Sequence, residues 1–222
     1  IQGASSAFFG PNAFNGVIDM RTKDPFLHQG VSASVKVGER NLFEGMFRYA
    51  QAFGDFALKI NFAYLRADDW EATNYDPSFQ SDDDQSNPGG YDAVNVYGDE
   101  YTTPAQDYTD KFARITFPGL LRYYRTGYRE IDVVDYRTEN IKGNVGLFYN
   151  FDKDIRAEAV FNFGSGTTVY QGDNRFRLDG IFFWQGRLEV RKEDKFFIRA
   201  YTTQEDAGES YDAYATALML QE

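Results

Sequence analysis

Apolar and polar residues alternate with period two along most of this chain, the signature of β-strands with two unlike faces. Within 56–64, Phe56, Leu58, Ile60, Phe62 and Tyr64 share one face, and Lys59 and Asn61 the other. Within 141–151, Ile141, Val145, Leu147, Tyr149 and Phe151 oppose Lys142, Asn144 and Asn150. From 155, Ile155, Ala157, Ala159, Phe161 and Phe163 alternate with Arg156, Glu158 and Asn162. From 182, Phe182, Trp184, Leu188 and Val190 alternate with Gln185, Arg187, Glu189 and Arg191. Weaker patterns at 31–37, 43–53, 196–201 and 214–220 bring the expectation to about eight strands, with no convincing amphipathic helix.

The connections are sorted. Short turns are expected at 53–55, 152–154 and 192–194, and longer links at about 71–139, 165–177 and 203–212, with a shorter one from Gly38 to Asn41 in the same phase. Short turns at one end and long loops at the other is the asymmetry of an outer-membrane barrel. Phe53, Phe56, Tyr149, Phe151 and Phe196 lie beside the short turns, where a girdle at a lipid boundary would stand. The expected fold is therefore all-β: a transmembrane antiparallel β-barrel, here a partial barrel of about eight strands. A soluble antiparallel sheet with one wet face gives the same alternation and stays open as the alternative.

Composition narrows the chemistry. The 222 residues include 21 Phe, 16 Tyr and 2 Trp, yet 26% are charged and the mean hydropathy is -0.55. No run approaches the roughly 18–20 apolar residues of a spanning helix. Cysteine is absent, which excludes disulfides, thiolate nucleophiles and Cys-based zinc sites. The single histidine, His28, excludes a multi-His metal site and reads as a linker residue before the first strand. Phosphate-binding glycine patterns are missing, and Gly164-Ser165-Gly166 is expected to be a strand running out into a loop. No catalytic residue, cofactor or metal is expected.

The net charge of -11 has one source. Between Asp68 and Asp110 stand 12 acids with no Lys or Arg, leaving 22 acids against 23 bases elsewhere. Such a potential disfavours nucleic acid as a partner. The long link at 71–139 also carries four of the six prolines and nine of the 16 tyrosines. An aromatic loop of this kind is expected to be ordered and packed over the barrel mouth. Asp82, Asp83, Asp84, Tyr91, Tyr97 and Tyr101 are the candidate ligand contacts there. Pairing with the loop's own basic second half (Lys111, Arg114, Arg122, Arg125, Arg129) is the competing role for those acids. The run 82–87 offers oxygens suited to calcium but fails the EF-hand pattern, with Asn87 where glycine is needed and Ala93 where glutamate is needed.

Residues 1–25, IQGASSAFFGPNAFNGVIDMRTKDP, are unlike the rest. Gly10-Pro11-Asn12 is turn chemistry, and Asn15-Gly16 precedes a short apolar stretch in which Gly16 permits close backbone approach. The segment resembles the end of the plug domain of TonB-dependent outer-membrane receptors. Gly3, Ser6, Ala7, Gly10, Ala13, Gly16, Val17, Ile18, Thr22 and Lys23 match that family's pattern, while Ala4, Phe8-Phe9 and Asp19 depart from it. The resemblance divides the chain into a plug end at 1–25 and the first barrel strands at 26–222. No signal peptide is present and Ile1 opens the chain, so an excerpt of a longer protein is expected.

The resemblance implies a receptor in the outer membrane of a Gram-negative bacterium that imports a scarce nutrient by TonB-coupled active transport, and not an enzyme. The implied partners are TonB with its inner-membrane energising complex, outer-membrane lipid, a surface lipoprotein, and a small or oligomeric ligand of unknown identity. Lys59, Asn61, Lys142, Asn144, Arg156, Glu158, Arg187 and Glu189 would face the plug or a wet lumen. The alternatives are a non-transporting surface, adhesion or anchor barrel, and a soluble β-sandwich ligand-binding module. A small closed barrel would require 31–37 to pair with 214–220, and this pairing is not expected.

Overall fold

The computed structural model describes residues 22–78, 92–98, 127–152, 154–172, 174–193 and 195–220. They form an antiparallel, all-β architecture. The strands are β1 (Gly30–Val37), β2 (Phe43–Phe53), β3 (Phe56–Asp68), β4 (Val96–Tyr97), β5 (Tyr128–Arg129), β6 (Arg137–Asp152), β7 (Ile155–Gln171), β8 (Arg175–Lys192), β9 (Phe196–Asp206) and β10 (Tyr211–Asp212). Among the described residues there are two short helices, α1 (Glu130–Val133) and α2 (Ala213–Leu220). The main sheet runs β1-β2-β3-β6-β7-β8, and β8 carries β9 and β10 along its other edge. The pair β4–β5 stands apart from that sheet.

Seven of the eight expected strands exist, and several are longer than expected. β6, β7 and β8 have 16, 17 and 18 residues. The expected link at 165–177 is thus mostly strand. Thr167, Thr168, Val169 and Tyr170 are β-branched or aromatic and continue the ladder across a register shift between Gly166 and Thr168. Likewise β9 runs to Asp206, into the expected 203–212 link.

The expected strand at 214–220 is a helix instead. Its sequence, AYATALML, is rich in strong helix formers. Asp212 Oδ1 accepts the backbone N–H groups of Tyr214 (2.9 Å) and Ala215 (3.2 Å), which starts the helix as an N-cap. Gly98, at φ 99°, lies against this helix, and a Cβ there would stand 2.9 Å from the Ala217 carbonyl oxygen. Among the described residues β1 pairs only with β2, and β9 only with β8. The pairing that a small closed barrel needs is therefore not made.

Register places the faces. Phe47, Phe62 and Gly143 are neighbours across β2, β3 and β6, and so are Tyr49, Ile60 and Val145. One face of the sheet is thus almost wholly apolar, and the other gathers the polar residues together with a few large apolar ones such as Met46, Phe148 and Phe183. The exposures run opposite to those of a soluble domain. Val35, Leu188 and Ile198 are 71%, 63% and 70% exposed, whereas Lys59 and Glu189 are buried. Besides Pro25, only eight hydrophobic residues are buried among the described residues, and five of those are alanines. A small apolar cluster, Val134, Val169 and Ala213 with Tyr97, Val133 and Tyr136 against it, lies at the long-loop end of the sheet.

Candidate functional site

The polar face carries the densest chemistry. Near the short turns, Lys59 Nζ donates to Thr22 Oγ1 (2.7 Å) and to the Lys23 carbonyl (3.1 Å). Arg156 Nη1 donates to Asp24 Oδ2 at 2.5 Å. Its guanidinium lies 5.1 Å from the Phe26 ring centroid and 5.0 Å from that of Phe148. Residues 22–26 are therefore fastened to β3 and β7 by charge, hydrogen bonds and cation–π contact. Beside them Glu158 and Glu189 accept from Arg187 (3.0 and 2.9 Å), and Arg199 reaches Glu189 at 2.5 Å. Signs alternate along each strand, not across them: Glu158 stands opposite Glu189 and Arg156 opposite Arg191, and each buried carboxylate keeps a partner because Arg187, one row away, bridges both. A hollow of about 1550 Å³ opens at this end, between Asp24, Arg156, Arg191, Glu189, Phe197 and Arg199.

Halfway along the strands the charges give way to amides. Asn61 Nδ2 donates to Asn144 Oδ1 (2.8 Å), and Asn144 Nδ2 to Asn162 Oδ1 (2.6 Å). Asn162 Nδ2 completes the chain to Gln185 Oε1 (3.4 Å). These amides come from β3, β6, β7 and β8 and sit opposite one another in register.

At the long-loop end, Glu130 is wholly buried. It accepts from Tyr97 OH (2.5 Å), Tyr136 OH (2.8 Å) and Arg175 Nε (2.9 Å). Its backbone N–H donates to the Asn95 carbonyl (2.9 Å). Burial and the neighbouring carboxylate push the Tyr97 hydroxyl well above its ordinary pKa, so it stays a proton donor. Arg177, also buried, donates to the Arg137 carbonyl at 2.6 Å.

All eight expected inward residues, Lys59, Asn61, Lys142, Asn144, Arg156, Glu158, Arg187 and Glu189, fall on the polar face. Lys59 and Arg156 meet the N-terminal segment directly. Of the candidate ligand contacts, only Tyr97 lies within the described residues, and its hydroxyl is engaged by Glu130. Asp82, Asp83, Asp84, Tyr91 and Tyr101 lie outside them, as do Gly10, Pro11, Asn15 and Gly16. Glu130, Arg175 and Asp24 were not among the expected site residues. Their partners are 45 and 132 positions away, a distance at which sequence carries no pairing signal. Among the described residues no cluster of three or more His, Cys, Asp or Glu suits a metal ion, and no helix is long and apolar enough to cross a membrane.

Asp24 supplies a test of the fastening. Burial acts to raise its carboxyl, but the Arg156 hydrogen bond, the Phe26 amide and the nearby guanidinium charge outweigh it and hold it below the usual carboxylate range. A depressed folded value stabilises above the unfolded value of 3.8 and is lost as pH falls through the folded one. Hydrogen exchange of the Phe26 amide, which donates to Asp24 Oδ1, is expected to keep constant protection from neutral pH down to 3.8 and to lose it only below. Loss of protection already at mildly acidic pH would contradict this fastening.

No protein-family model and no curated protein matches this chain.

Proposed function

We propose that this chain forms part of the wall of an outer-membrane β-barrel, preceded by the end of a plug, in a receptor that imports a scarce nutrient by TonB-coupled transport. The observation that carries this reading is the inverted sheet. Large apolar side chains stand exposed on one face, while lysine, arginine and glutamate are covered on the other. Lipid is the solvent in which such a face is stable. A soluble sandwich needs that face covered by a second layer, and none packs on it among the described residues. Fastening of 22–26 to Lys59 and Arg156 supports a plug over an anchor barrel, because a segment held against the inner wall is what gates a wide pore. Ligand uptake, TonB contact through a segment preceding the plug end, and residence in the Gram-negative outer membrane rest on the sequence resemblance joined to this face pattern.

Labels test the reading directly. Single cysteines at Val35, Phe47 and Leu188, and at Lys142 and Thr203, would each carry a nitroxide in the liposome-inserted protein. The first three are expected to collide with oxygen in the lipid, and the last two with a water-soluble nickel chelate. Equal access of the chelate to both sets would refute the barrel.

A further inference from the structure

The amide row halfway along the polar face is the feature least explained by a plugged barrel wall. It is one register row crossing the whole sheet: Asn61, Asn144, Asn162 and Gln185 lie side by side. Arg48 and Ser32 extend it onto β2 and β1, and Thr203 extends it onto β9. Rows nearer the short turns hold paired ions; from β3 to β9 this one holds neutral donor–acceptor groups.

Each amide owns two N–H donors and two carbonyl lone pairs. The chain of hydrogen bonds engages one donor and one lone pair of each interior amide, leaving a second of both outside it. All four amides are partly exposed. On β3, β6, β7 and β8 the face therefore presents a donor and an acceptor together, repeated at the strand spacing of about 4.8 Å. That spacing is close to the width of one sugar ring. A hydroxyl donates and accepts alike, so a polyol matches such a row, whereas a carboxylate or phosphate can use only its donors.

A second observation points the same way. Phe183 belongs to the polar face, in the next row toward the long loops, and is 44% exposed. Its ring lies over Gly164, where a Cβ would come within 2.5 Å of it. Glycine thus lets an aromatic ring lie flat on a wet face, beside Asn162 and Gln185. Asn61, Asn144 and Asn162 of the row and this ring border one hollow of about 490 Å³, to which Met46 and Ala63 add carbon, Lys142 an ammonium and Arg48 a guanidinium. Amides flanking an exposed ring are what the two faces of a pyranose require: hydroxyl edges to hydrogen-bond, a C–H face to stack.

We propose that this row is a binding track for a neutral oligosaccharide, with Phe183 as its stacking platform. The proposal rests on the barrel reading above and names the class of its cargo. Isothermal titration of the full protein in liposomes with maltohexaose, cellohexaose and mannohexaose tests it. At least one of these is expected to bind. Asn144→Leu combined with Asn162→Leu should weaken it tenfold or more. Phe183→Ala, which leaves the amide chain intact, should weaken it severalfold and covers the case where the double variant does not fold. A nitroxide at Phe47 on each sample separates the two ideas. Lipid exposure of that label with no sugar bound, or with binding unchanged by the variants, overturns the track alone. Tighter binding of hexagalacturonate than of any neutral hexamer also overturns it, since the ammonium and guanidinium groups would then be the recognition element. Water exposure of the label overturns the barrel and the track together.

Discussion

Arginine in place of Phe62 is expected to lower the stability of the bilayer-inserted protein by about 2–4 kcal/mol. Phe62 stands midway along β3, 44% exposed, between Phe47 and Gly143 on the apolar face. On the barrel reading that position is near the membrane midplane, where a guanidinium loses its hydration and finds no counter-charge. Ser34→Arg, on the polar face of β1, is expected to change stability by less than about 1 kcal/mol. Denaturant unfolding in phospholipid liposomes measures both. A soluble sheet gives a different result: Phe62 would already be wet, and arginine there would be tolerated within about 0.5 kcal/mol. Near-equal effects of the two substitutions would thus remove the main support for a membrane wall.

Loss of the Glu130 carboxylate is the other large effect. Three donors from separate parts of the chain converge on it: Tyr97 from the end of the described loop residues, Tyr136 from just before β6, and Arg175 from β8. Glu130→Ala leaves the Arg175 guanidinium half-enclosed without a counter-ion and strands two phenolic hydroxyls. Removing one partner of a buried ion pair costs about 3–5 kcal/mol. The loss should be local. Hydrogen exchange at the Val96 and Val134 amides, which bond within this loop-end layer, is expected to accelerate by about two orders of magnitude or more. Amides in the middle of β3 and β6 should keep their protection, because the ladder there has no contact with Glu130. Glu130→Gln retains an acceptor and is expected to lose less, about 1.5–3 kcal/mol, the worth of one hydrogen bond to a charged group. Unchanged exchange at Val96 in the alanine variant would show that the layer holds together by its apolar cluster alone.

Much of the fold was legible in the chain because alternation is a local property. Phe56 to Tyr64 declare their two faces without any knowledge of what pairs with them. The hairpin at Gly54 likewise needs only its own glycine, at φ 62°. The misread segments are those where local signals conflict. Ala213 to Leu220 is apolar enough to pass for a strand, and the aspartate cap at Asp212 turns it into a helix. Gly164-Ser165-Gly166 looks like the start of a loop, but continuous pairing with Ile181, Phe182 and Phe183 holds it in β7.

The sites were less legible for a different reason. Asn61, Asn144, Asn162 and Gln185 are unremarkable singly; they become a row only when four strands lock in one register. Glu130 looks like one acid among 34 until the fold encloses it. Period two determined that this chain makes strands with one apolar and one polar face, since side chains of an extended backbone must point alternately. Which polar groups meet, which face is covered, and where residues 22–26 are fastened were decided by the tertiary structure. Those outcomes depend on hydrogen-bond register between strands far apart in the chain, and a shift of one residue would have carried every one of those groups to the opposite face.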